Sequence, residues 1–151
     1  MRDNKYLEIL LYDIWENHFC DVARPNLVTI KYGRFSKRQL GSIKLIKDVR
    51  TFNRYLKKYN YEKSAFEEET ISLITLTKYF SYDYIPEHVV RSTIAHELCH
   101  YTHGFNSPLK KIYKHPHRGG IVKKELKRRD LLDIYLESKK WLSSNWISII
   151  S

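Results

Sequence analysis

Leu7, Leu10, Leu11 and Ile14 recur at three- and four-residue intervals, and His18 closes the same stripe, which predicts a helix over residues 4–19. Asp3 or Asn4 suits its N-cap, and Pro25 marks a break after it. The stretch "NLVTIKYGR" (26–34) sets Leu27, Thr29 and Lys31 against Val28, Ile30 and Tyr32, the alternation of a strand. A basic connection, "RFSKRQLG", leads to a second strand in "GSIKLIKD" (41–48), with Ile43 and Leu45 on one face. Phe52, Tyr55, Leu56 and Tyr59 place one short helix within 49–69. "ISLITLTKYF" (71–80), rich in β-branched and aromatic residues, is the strongest strand signal in the chain.

A further helix begins at Pro86, a residue suited to the first helical position. Val90, Ile94, Leu98 and Tyr101 follow at helical spacing as a buried stripe, and Gly104 supplies a stop. "DLLDIYLESKKWL" (130–142) reads as another helix, with "NWISII" as a docked tail. The whole predicts one α+β domain over residues 1–151: an N-terminal helix, a small three-stranded sheet, a buried helix and C-terminal helices.

Composition narrows the class. No apolar run approaches the roughly 20 residues of a membrane span. The N-terminus has acidic residues inside its apolar stretch and no small-residue cleavage site, unlike a signal peptide. Two distant cysteines, Cys20 and Cys99, exclude a disulfide scaffold and a four-cysteine zinc ribbon, and point to a cytoplasmic chain with reduced thiols. A monomer with no membrane partner is expected. The net charge of +10 favours anionic partners, nucleic acid among them.

The chemistry lies in "TIAHELCHYTHGF" (93–105). Residues four apart on a helix share a face, so His96 and His100 can direct imidazole nitrogens at one zinc ion. Glu97, one step round, can reach a zinc-bound water and act as its general base. The expected activity is a metallopeptidase: Glu97 takes the water's proton as the water attacks a peptide carbonyl, then passes it to the leaving amine. One Zn2+ per chain is expected.

A catalytic zinc needs a third protein ligand and an open position. Metzincin spacing would require glycine at 103 and histidine at 106; the chain has His103 and Asn106. His103 suits a cation at the helix C-terminus. His115 and His117 lie in "YKHPHRGGIVKKEL", where Pro116 and two glycines turn the chain back before a helix. His117 abuts that turn and is the favoured ligand; His115 and Glu125 remain alternatives. His18 and His88 are assigned structural or surface roles.

"TIAHELCHYTHGF" followed by "PHRGGIVKKEL" resembles the SprT-like domain, the protease domain type of the Spartan DNA–protein crosslink proteases. "RQLGSIKL" is similar to that family's glycine-containing strand, and "ISLITLTKYF" through "IPEHVVRSTIAHELCH" follows its strand-to-helix run, so the likeness covers roughly residues 5 to 142. The resemblance implies a zincin-like α+β fold, zinc held by His96, His100 and a later histidine matching His117, and Glu97 as base. The C-terminal zinc ribbon of many members has no counterpart before Ser151. A protein or peptide substrate is expected to lie extended along a sheet edge, with "ISLITLTKYF" as the candidate edge.

Two lysine clusters flank the motif: Lys110, Lys111 and Lys114 in the following loop, then Lys123, Lys124 and Lys127 with Arg128 and Arg129 on the next helix. On one face they would hold DNA without sequence preference; on separate faces they are solvated surface. The alternative to an enzyme is a nucleic-acid-binding or interaction module with a structural zinc and no peptidase activity.

Overall fold

The computed structural model describes residues 1–151. Helix α1 (Asn4–His18) starts where Asp3 Oδ1 accepts from the Tyr6 amide at 3.0 Å, and it buries Leu7, Leu10, Leu11, Ile14 and Trp15. Strand β1 (Leu27–Tyr32), strand β2 (Gly41–Ile46), helix α2 (Val49–Tyr59) and strand β3 (Ile71–Leu76) follow. Helices α3 (Glu87–Thr102), α4 (Ile121–Arg128) and α5 (Leu132–Ile150) complete an α+β architecture. None is long and apolar enough to cross a membrane.

The sheet order is β1-β3-β2. β1 runs parallel to β3, with Leu27 opposite Ile71, and β2 runs antiparallel to it, with Gly41 opposite Leu76. β3 is therefore the central strand, not the edge its sequence suggested. Its nearly unbroken apolar run is what a strand covered on both faces requires. Ile74 and Leu76 face the main core with α1 and α3, whereas Ile71 and Leu73 pack with Phe52 and Leu56 of α2. β3 stops at Leu76, short of the expected Phe80, because Thr77 turns away and its hydroxyl donates to the Ser36 carbonyl at 2.7 Å. A short 3-10 turn, Lys78–Ser81, carries the rest.

The C-terminal segment differs from expectation. "NWISII" is not a separate docked tail; it continues α5 to Ile150. No proline or glycine interrupts residues 132–150, and Trp146 anchors the extension. Its indole nitrogen donates to the Lys37 carbonyl at 2.8 Å, and its ring meets Tyr79 and Phe80 edge-on.

Candidate metal centre

α3 lies across the sheet face beneath β2 and β3, buried along Val90, Ile94, Leu98 and Tyr101. The Tyr101 hydroxyl donates to Asn26 Oδ1 at 2.7 Å, and Asn26 in turn donates to Ser72 Oγ at 3.0 Å. These bonds fix the C-terminal turn of the motif helix against the start of the sheet. Ser72 also donates to the Asn106 carbonyl at 2.8 Å, which ties down the loop leaving the helix. That loop begins at Gly104, with φ of +84°. A Cβ there would lie 2.4 Å from the Lys110 carbonyl oxygen, so only glycine lets the loop fold back over its own start.

The return delivers His117. Its ring centroid sits 4.6 Å from that of His100 and 5.6 Å from that of His96. The Nε2 atoms of His96 and His100 are 3.1 Å apart, and ligand atoms of all three histidines lie within 4.8 Å of one another. Zinc–nitrogen bonds of about 2.05 Å in tetrahedral array set nitrogens about 3.3 Å apart, so the helical pair already has the spacing for zinc, and exposed His117 is free to close on it. Burial pushes the His96 imidazole down to about 4, with the neighbouring His117 adding to the effect. Burial, then His96, His117 and His103, pushes His100 down to about 3. Both rings are thus neutral at physiological pH, the state a metal ligand needs. The Nδ1 of His100 is buried without a hydrogen-bond partner, so packing rather than an acceptor orients that ring.

Glu97 is 5% exposed, and burial pushes its carboxyl up to about 7. It lies against Gly41 of β2. A Cβ at Gly41 would sit 2.8 Å from Thr93 Cγ2, 3.2 Å from Leu76 Cδ2 and 3.4 Å from Glu97 Oε1, so glycine is what allows α3 to approach the strand this closely. The three histidines and Glu97 open on a cleft of about 600 Å³. β2 forms one wall, and α5 forms the other through Tyr135, Ser138, Lys139 and Leu142, whose i, i+3, i+4, i+7 spacing makes them one helix face. The α5 face did not stand out as functional in the sequence, whereas Gly41 is the glycine of the "RQLGSIKL" strand noted there.

The other sequence candidates sit elsewhere. His115 is outside the histidine cluster. Glu125 is buried and committed: Oε1 pairs with His103 Nε2 at 2.9 Å, and Oε2 accepts from Arg129 Nε at 2.7 Å and from Arg128. Burial alone would raise the Glu125 carboxyl; the bonds from His103 and Arg129 outweigh it and hold the group below its ordinary range. His103 stands at the C-cap of α3, where it is buried and paired with Glu125. Arg129 leaves the basic surface cluster for the same reason: it reaches on to Asp21 at 2.7 Å and the His18 carbonyl at 2.7 Å, riveting α4 to α3 and α1. Glu125→Ala strands His103 in the interior and leaves Arg129 only Asp21 and the His18 carbonyl as partners. It is expected to cost about 3–5 kcal/mol in denaturant unfolding, with zinc stoichiometry unchanged below the transition; lost zinc at undiminished stability would make Glu125 a ligand after all. His18 and His88 keep structural roles, His18 Nδ1 at 2.7 Å from the Arg129 carbonyl and His88 at 3.6 Å from Glu137.

Comparison with protein-family models, with curated proteins and with solved structures gives no match to this chain.

Proposed function

We propose that the chain is a zinc-dependent metallopeptidase with a zincin-like, SprT-like catalytic site. The observation that carries this reading is a set of three converging histidines beside a buried glutamate, all facing one cleft. His96, His100 and His117 would hold the metal, and a zinc ion there supplies a Lewis acid that polarises a carbonyl and brings water acidity near pH 7. Glu97 accepts the proton of the attacking water on its carboxylate and returns it to the departing amine. Its buried position keeps the carboxyl a stronger base than an exposed glutamate. The outer edge of β2 has no strand beyond it, and it offers unpaired backbone groups to an extended peptide beside the histidines. The edge that serves the site is thus β2.

The ligand cluster has three members and no fourth, which favours a catalytic over a purely structural zinc. The experiment is incubation of the zinc-loaded chain with an unfolded protein. Fragments should appear on a gel, vanish with a chelator and return on adding zinc. Fragmentation that persists through chelation would refute a metal-dependent reaction.

One observation keeps DNA as a partner: Lys110, Lys111, Lys114, Lys123, Lys124 and Lys127 are all exposed, and none pairs with a carboxylate. Roughly four to six phosphate contacts would give a log–log salt slope of about −3.6 to −5.4 on duplex DNA, through counterion release. Lys123→Glu, Lys124→Glu and Lys127→Glu together should flatten that slope and leave zinc content unchanged. Absence of binding at about 50 mM salt by fluorescence anisotropy would remove DNA from the partners.

A further inference from the structure

The two walls of the cleft carry charge of one sign. Arg38, on the segment entering β2, lines one side, and Lys139 of α5 lines the other. The only acidic side chain in the lining is Glu97, which lies buried at the floor. Arg91, Arg128 and Arg129 are each neutralised by carboxylates, whereas neither Arg38 nor Lys139 has such a partner. Lys139 Nζ leans over the Tyr135 ring at 5.8 Å, a contact with another residue of the same lining. The hydrogen bond from Trp146 of α5 to the Lys37 carbonyl, 2.8 Å long, ties the two walls together one residue before Arg38. That bond pins the loop carrying Arg38 against α5, so the two cations border the same cleft. Unpaired like charges on the walls of a concave site concentrate field inside it and select for the opposite charge.

We propose that the part of the cleft between Arg38 and Lys139 is a subsite for an acidic side chain of a polypeptide substrate, a carboxylate or a phosphorylated residue. This rests on the peptidase reading and adds the substrate class: polypeptides with an anionic residue at a fixed distance from the scissile bond. A strand presents alternate side chains to opposite faces. With substrate paired along β2, the preference falls on one position and not on its immediate neighbours.

The test separates this subsite from catalysis by measuring binding to the zinc-loaded Glu97→Gln chain. Short fluorescent peptides, neutral but for one glutamate moved through successive positions, are titrated by anisotropy against glutamine counterparts. Two partly solvated ion pairs should make the favoured position bind about fivefold tighter at low salt, less at high salt. The double variant Arg38→Glu/Lys139→Glu should reverse the preference, and Arg38→Gln or Lys139→Gln alone should each remove part of it. A phosphoserine peptide tighter than glutamate at that position would support the subsite and identify phosphorylated chains as its source; a looser one would support it for carboxylates. Equal affinities at every position, or a preference that survives the double reversal, would overturn the proposal. A wild-type chain that shows the preference but cuts nothing would sink the peptidase reading alone.

Discussion

Glu97→Gln is expected to lower peptide-bond cleavage by about two to four orders of magnitude, the contribution of a positioned general base, while zinc content and fold stay intact. The amide matches the carboxylate in size but cannot take a proton, and His96, His100 and His117 are untouched. The expected pattern is therefore full metal by elemental analysis, unchanged circular dichroism and a collapsed rate. Stability gives an independent check in the metal-free chain. The Glu97 carboxyl is raised from an ordinary 4.5 to about 7, so the folded state holds its proton over a range where the unfolded state releases it. Its stabilising contribution is complete below the unfolded value and is lost as pH rises through about 7. Glutamine has no proton to lose, so the variant should lack this fall, and below about 6.5 its melting temperature should rise more steeply with pH than that of the wild type, because depressed His96 and His100 still favour the folded state as pH rises there. A variant that cuts as fast as wild type would rule out Glu97 as the base.

His100→Ala or His96→Ala should abolish stoichiometric zinc. Loss of a group that merely orients a ligand already costs 10- to 100-fold in affinity, about one to two logarithmic units, so loss of a ligand itself should exceed that. The readout extends beyond metal analysis. Zinc at about a thousandfold over its dissociation constant would add about 4 kcal/mol to wild-type stability. For a chain of this size each kcal/mol moves the melting temperature by about 2–4 °C. Both variants should lose that zinc-dependent rise. His117→Ala should weaken zinc more than His115→Ala, since only His117 reaches the other two rings. Full zinc in the His96→Ala/His100→Ala double variant would dispose of the assignment.

The helical pair was legible because a four-residue interval on a helix is a geometric statement that needs no tertiary information. His117 was harder: a loop return can be read from Pro116 and the two glycines, but which histidine it delivers depends on how Gly104, Asn106 and Ser72 fold the intervening chain. Strand order was not legible at all. β3 pairs with β1 across the whole of α2 and β2, and no local pattern states that pairing; the sequence suggested an edge position for "ISLITLTKYF", although its nearly continuous apolar run suits a doubly covered strand. The Glu125–Arg129 pair, four apart on a helix, was not legible as one: in the sequence Glu125 stood among the alternative metal ligands and Arg129 in a basic cluster. That it is buried follows only from His103, which lies 22 residues away in sequence. The α5 face was hidden by its own composition, since Ser138 and Lys139 read as solvent-facing until β2 stands opposite them.

The open edge of β2 has a cost that concerns the protein in a crowd rather than at work. A row of unpaired amides and carbonyls accepts any extended backbone, including the β2 edge of a second copy. Two features limit such pairing here: the strand is only six residues long, and Lys44, in its middle, is exposed, with Lys47 just beyond its end. Copies approaching edge to edge would bring these ammonium groups together. These lysines thus guard the open strand edge, and replacing them with neutral residues would invite aggregation.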